Sequence, residues 1–140
     1  MTSDKTILVV DDEPDVLSTI VRMLDRTKTF HVLRASDHEE AFQQIAACGR
    51  PVDLAILDIA LESKSGIELA ADLQSLHPQT KVLFISGWTG AELLNYCGIP
   101  IEDNRFLAKP FTYLQLMGRV NEILTESPPK TQSANSSLSA

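Results

Sequence analysis

Cysteine, histidine, basic residues and long apolar runs are all scarce in this chain, and each scarcity argues against a class of function. The only cysteines, Cys48 and Cys97, lie far apart and in no metal-ligand spacing. A zinc ribbon or a disulfide scaffold is therefore a poor organising principle, and two free, mostly buried thiols in a reducing compartment are expected. His31, His38 and His77 are scattered, which reads as surface placement and not as a metal site or nucleophile. Lys and Arg number 12 against 19 Asp and Glu, for a net charge of −7. That balance disfavours binding to nucleic acid by phosphate neutralisation and adsorption to an anionic membrane. No uninterrupted apolar stretch reaches bilayer length, and Met1-Thr-Ser-Asp-Lys5 lacks the regions of a signal peptide. A cytoplasmic location follows as the expectation.

The chain has 140 residues, 44% of them hydrophobic and 22% charged, enough for one domain with a proper core. Short apolar runs alternate with amphipathic stretches. Thr6-Ile-Leu-Val-Val10 reads as a strand, and Pro14 suits the first turn of the helix after it. Leu17, Ile20, Val21 and Leu24 give that helix one apolar face. His31-Val-Leu-Arg34 is a second, more polar strand. Asp37 can cap a helix carrying Ala41, Phe42, Ile45 and Ala46 inward, with Gly49 and Pro51 ending it. Asp53-Leu-Ala-Ile-Leu57 is apolar enough to be covered on both faces. A helix with Leu69, Ala70, Leu73 and Leu76 follows, ending near Pro78. Lys81-Val-Leu-Phe-Ile85 is the fourth strand, before a shorter helix with Leu93 and Leu94. Arg105-Phe-Leu-Ala108 is the fifth, and the helix over 111–124 would turn Leu114, Met117, Val120 and Leu124 inward. Solenoid-type repeats are absent. Five such β-α units imply an open α/β fold, a doubly wound five-stranded parallel sheet with five helices. The domain is expected to span residues 1–124, with 125–140, rich in Ser and Pro, as a disordered tail or linker.

Polar residues fall at the carboxyl ends of the strands: Asp11-Asp12-Glu13 after the first, Asp58 after the third, Ser86 after the fourth, Lys109 after the fifth. Ligands in open α/β sheets bind outside those ends. With strand order 2-1-3-4-5, Asp11, Asp12 and Asp58 crowd together beside Ser86, and the long stem of Lys109 can reach back to them. Two like charges ~4 Å apart repel by roughly 4 kcal/mol at an effective dielectric near 20. A hard divalent cation relieves that cost, and an all-oxygen cluster suits Mg²⁺, or Mn²⁺, over zinc. The hydroxyl of Ser86, the ammonium of Lys109 and the flexible backbone at Gly87 suit a phosphoryl guest, and an Asp carboxylate is an established nucleophile for forming an aspartyl phosphate. Singly, each residue also reads as a cap, a turn or a loop; together, on one rim, they favour function.

That ordered set, over about Lys5 to Leu124, resembles the response-regulator receiver family of two-component systems, whose sheet is flavodoxin-like. Gly66 and Lys109-Pro110 also match in order and spacing. The resemblance implies that Asp58 accepts a phosphoryl group from a phosphohistidine of a sensor kinase or histidine phosphotransfer domain. It implies Mg²⁺ held by Asp12 and Asp58 directly, by Asp11 mainly through water, and by the backbone carbonyl of Ala60. Ser86, Gly87 and Lys109 would bind the phosphoryl group, Ser86 and Phe106 would form the switch, and the Lys109-Pro110 bond would be cis. A downstream protein would dock on the face of the fourth helix, fifth strand and fifth helix, and phosphorylation-linked homodimerisation is compatible with the family. No turnover is implied beyond the domain's own phosphorylation and dephosphorylation. Glu62 stands where the family often has proline, and Phe106 where it often has tyrosine. Ala60 and Trp88 flank the site, Trp88 either touching a partner or shielding the phosphate, or else serving only as a partly exposed hydrophobe.

Other readings fit less well. An aspartate-nucleophile phosphatase of the haloacid dehalogenase type would need an Asp-x-Asp pattern after the first strand, which Asp11-Asp12-Glu13 does not supply. A flavin carrier would need a Ser/Thr/Gly-rich phosphate loop where the acidic triplet stands. A degenerate receiver would lack an acceptor-site residue. A stand-alone receiver and a piece of a larger sensor kinase or regulator both fit: Met1 favours the first, and the Ser/Pro-rich tail is compatible with either.

Overall fold

A computed structural model of the chain describes residues 5–61, 64–98, 101–102 and 105–126. The elements run β1 (Lys5–Val10), α1 (Pro14–Asp25), β2 (Phe30–Ala35), α2 (His38–Cys48), β3 (Leu54–Asp58), α3 (Gly66–Leu76), β4 (Lys81–Ser86), α4 (Gly90–Cys97), β5 (Phe106–Ala108) and α5 (Tyr113–Leu124). The five strands form one sheet in the order β2-β1-β3-β4-β5, and every neighbouring pair is parallel. This is the doubly wound arrangement that the alternation of elements predicts, in the flavodoxin-like strand order that the family resemblance implies.

Local chemistry sets the helix starts. Pro14 opens α1 in its first turn. Asp37 caps α2 by accepting the Glu40 N–H at 2.7 Å. Ser65 with Glu68, Thr89 with Glu92 and Thr112 with Gln115 form reciprocal capping boxes on α3, α4 and α5, each satisfying two otherwise orphaned N–H groups. Gly49 closes α2 at φ +72°, a left-handed position that glycine takes without a Cβ penalty.

The sheet divides the core in two. On one side Ile7, Val9, Leu54, Ile56, Leu83 and Ile85 pack against α1 and α5. On the other, Leu8, Val10, Ala55, Leu57 and Val82 pack against α2 and α3. Alternate residues of β1 and β3 thus face opposite layers, which is why residues 7–10 and 54–57 are unbroken apolar runs and both strands are almost wholly buried.

The helix faces differ from expectation in places. On α5 the buried set is Leu116, Met117, Val120 and Ile123, whereas Leu114 is 78% exposed and Leu124 only half-buried. Met117 and Val120 belong to either stripe of a wide apolar arc, and packing against β4 and β5 selects the edge that holds Leu116 and Ile123. Leu76, the last residue of α3, is 66% exposed, and Ala46 is exposed too. Leu94 on α4 is exposed, while the side chains of Leu93 and Cys97, and all of Glu62, lie outside the described residues. Cys48 is free and half-buried. No described helix is long and apolar enough to cross a membrane.

Candidate functional site

The carboxyl ends of β1, β3, β4 and β5 meet on one rim, and backbone bonds hold them in register. The Asp11 N–H donates to the Ala35 carbonyl at 3.2 Å, that of Ile59 to Ile85 at 3.0 Å, and that of Lys109 to Ser86 at 2.8 Å. Where β1 ends, the apolar run gives way to Asp11 and Asp12, and Pro14 starts α1 at once, so the acidic residues occupy the turn itself.

Asp11, Asp12 and Asp58 each present one carboxylate oxygen, and these three oxygens lie within 4.8 Å of one another. Asp11 and Asp58 are buried and Asp12 is half-buried. The Asp58 carboxylate is held at both oxygens: Oδ1 accepts the Ala60 N–H at 3.0 Å, and Oδ2 accepts from Lys109 Nζ at 3.1 Å. The first of these folds the loop after β3 back beside the Asp58 side chain. Gly66 makes that fold possible, because a Cβ there would stand 2.2 Å from the Asp58 carbonyl oxygen.

Lys109 crosses the space that separates β5 from β1. Its Nζ lies 3.0 Å from Asp11 Oδ2, 3.1 Å from Asp58 Oδ2 and 3.4 Å from Glu13 Oε1, with the side chain only 17% exposed. Burial weakens the ammonium, yet the adjoining Asp11 and Asp58 carboxylates outweigh it and raise the pKa of Lys109 above 10.5. Burial has the opposite consequence for Asp11. It pushes that carboxyl above 3.8 despite the Glu13 N–H and the Lys109 ammonium, and the charge of Asp58 adds to the rise. Among the described residues, Asp11 Oδ2 is fully buried and receives no hydrogen bond in proper geometry, with the Lys109 ammonium 3.0 Å away.

These observations test whether the donor set suits a metal. A compact cluster of carboxylate oxygens, one of them buried without a hydrogen bond and met only by a side-chain cation, fits a hard divalent ion. The residues present fit Mg²⁺ or Mn²⁺.

The remaining expected residues lie around this cluster. Ser86 is buried at the end of β4, with its Oγ accepting the Trp88 N–H at 2.9 Å. Gly87 is exposed, with open space where a Cβ would stand, so the fold does not demand glycine there by crowding. Trp88 is half-buried, its ring edge-on to Tyr96 of α4 with centroids 4.7 Å apart. Phe106 is half-buried at the start of β5, and the Lys109–Pro110 bond is cis. Glu13 was visible in the acidic triplet but carried no expected role. Its contact with Lys109 spans 96 residues of sequence, and only the assembled sheet brings the two together.

Comparisons with known proteins bear on the family and the fold. A family model described as the response regulator receiver domain matches residues 7–121. The transcriptional regulatory protein CpxR of Klebsiella pneumoniae is 35% identical over 121 residues, covering 86% of this chain and 50% of that protein. The chain therefore spans about half the length of that relative. The response regulator receiver protein CpdR of Brucella abortus is 28% identical over 120 residues, 86% of this chain and 97% of that one. The crystal structure of the response regulator protein TrrA from Thermotoga maritima, in complex with Mg²⁺-BeF, superposes with a TM-score of 0.67 at 26% identity, covering 85% of this chain and 98% of that chain.

Proposed function

The chain belongs to the response-regulator receiver family of two-component signalling, and from that premise we propose that Asp58 is its phosphoryl acceptor, working with Mg²⁺ bound at the acidic rim. Asp11, Asp12, Asp58 and the Ala60 carbonyl would hold the ion. When bound, it supplies the positive charge that lets these carboxylates and the oxygens of a phosphoryl group share one small space.

The residues then divide the work. A carboxylate oxygen of Asp58 attacks phosphorus of a phosphohistidine on a sensor kinase or histidine phosphotransfer domain. A new P–O bond forms as the P–N bond breaks, and the departing imidazole keeps the electron pair and takes a proton. Lys109, already against Asp58, pairs with the transferred group. The Ser86 hydroxyl and the Gly87 backbone, at the adjoining strand end, bond its oxygens. Ser86 must leave the Trp88 N–H partly to do so, which ties acceptor chemistry to the start of α4, while Phe106 follows Ser86 inward. The phosphorylated form is favoured by as much as it contacts the active arrangement better than the inactive one.

Output is carried by the α4-β5-α5 face, to a downstream protein or a second copy of the domain. Of the large apolar side chains described as exposed, Leu94 and Tyr96 lie on α4 and Leu114 on α5, a concentration that suits protein contact. The domain turns over no substrate beyond its own acyl phosphate. Residues 1–124 act as the receiver, and 125–140 as a tail or linker.

The observation that carries this reading is the meeting of Asp11, Asp12 and Asp58 within 4.8 Å under the Lys109 ammonium. It is tested with a small phosphodonor, with and without Mg²⁺, followed by intact-mass analysis. Wild type should gain a metal-dependent phosphoryl adduct that Asp58→Asn lacks. The same adduct in both proteins would move the acceptor elsewhere.

A further inference from the structure

Glu13 sits at the N-cap position of α1, where its side chain makes no capping bond. The side chain is 64% exposed and instead reaches Lys109 Nζ at 3.4 Å. Lys109 thus has carboxylate partners of two kinds. Asp11 and Asp58 are buried and belong to the acidic cluster, whereas Glu13 stands just outside it, toward solvent.

A divalent ion entering between Asp11, Asp12 and Asp58 meets an ammonium already against two of those groups. Two cations cannot share the same oxygens without repulsion, so the ammonium must withdraw from Asp11 and Asp58. Its mostly buried stem keeps it near the rim, and an ammonium withdrawn there without a partner would be costly. Glu13 is the carboxylate already touching it outside the cluster. On the reading of the acidic rim as a metal site, we propose that Glu13 is a positioning residue, which takes the Lys109 ammonium as the ion enters and so sets how readily the pocket loads. Glu13 acts through Lys109 and not as a ligand. Its exposed side chain swings without disturbing packing, and the same contact keeps the ammonium at the rim, from which it can return to a phosphoryl group.

A rival account is that Glu13 only adds negative charge to the field around the pocket. The two accounts separate by titrating Mn²⁺ into the whole chain and reading the free ion by its paramagnetic resonance signal, which needs no phosphorylation. Glu13→Gln and Glu13→Asp, the second keeping the charge but shortening the reach, should each weaken Mn²⁺ binding by roughly fivefold. Lys109→Met should tighten binding, and adding Glu13→Gln to it should change the affinity by less than about twofold, because the acting partner is gone. Equal losses from Glu13→Gln in both backgrounds, or Glu13→Asp binding like wild type, would overturn the proposal in favour of charge alone. Wild type that takes up no Mn²⁺ would overturn the metal-site reading itself. Wild type that binds while every Glu13 variant matches it would overturn only the role of Glu13.

Discussion

At the carboxyl end of the sheet one ammonium, Lys109, faces Asp11, Glu13 and Asp58 at 3.0 to 3.4 Å. At the amino end Lys81, the first residue of β4, donates to the carbonyls of Ile123 and Glu126 at 3.1 and 3.0 Å. Arg105, just before β5, grips both carboxylate oxygens of Glu126 at 3.1 and 2.6 Å. The amino end matches donors to acceptors and places its cations at the C-terminus of α5, where unsatisfied carbonyls favour them. The carboxyl end leaves a buried Asp11 oxygen with a charge contact and no hydrogen bond. One end is electrostatically complete, and the other, on the reading proposed above, would gain stability from an added cation. The difference separates a structural use of charge from one that suits a ligand within a single sheet.

Substitutions at the two ends should therefore behave differently, and the most severe is at the carboxyl rim. Gly66→Ala would set a Cβ 2.2 Å from the Asp58 carbonyl oxygen and 2.9 Å from Ile59 Cα. Backbone on both sides cannot yield cheaply, so we expect a loss of about 3 kcal/mol in urea unfolding together with weakened metal binding. An unchanged unfolding midpoint would show that the loop after β3 does not need its close approach.

A smaller effect is expected at the amino end. Lys81→Met should lose about 1–2 kcal/mol of stability, as two carbonyls at the end of α5 give up their donor. Mn²⁺ affinity should stay at the wild-type value. A shift in that affinity would mean that the two ends are energetically coupled and that the contrast between them is false.

The smallest effect has the opposite sign. A raised pKa means that native Asp11 holds its proton more tightly than the unfolded chain does, so ionising it costs stability as pH rises beyond 3.8. At neutral pH and without metal, Asp11→Asn should raise the thermal midpoint by roughly 2–5 °C. The gain should vanish as pH falls to where wild-type Asp11 is itself protonated. Thermal scans in chelator across pH check this, and a neutral variant less stable than wild type at pH 7 would mean that Lys109 already satisfies the rim.

Much of this was legible in local sequence. The end of each strand was marked by a change from apolar to polar residues, and Pro14, Asp37 and Gly49 sit at the helix boundaries where their backbone chemistry requires them. Asp11, Asp12 and Asp58 could be placed together only by taking the strand order 2-1-3-4-5, which the family resemblance implies and β-α alternation by itself leaves open. The inward stripe of α5 was not readable in the same way. Leu114 and Leu116 are equally apolar, and only the strands beneath the helix decide that Leu116 is buried while Leu114 is exposed. Capping boxes at Ser65, Thr89 and Thr112 are written in local sequence too, since their partners lie three residues on.

Sequence by itself determined the alternation of elements, the residues that end each strand and the types of side chain gathered at the rim, because these depend on periodicity and on neighbours a few positions apart. Tertiary structure alone decided which oxygens Lys109 meets, that Glu13 is among its partners, and that burial raises the pKa of Asp11. Those depend on reach across strands whose residues stand 51 and 96 positions apart in the chain, and no local pattern encodes the direction of a long side chain or the desolvation of a carboxylate.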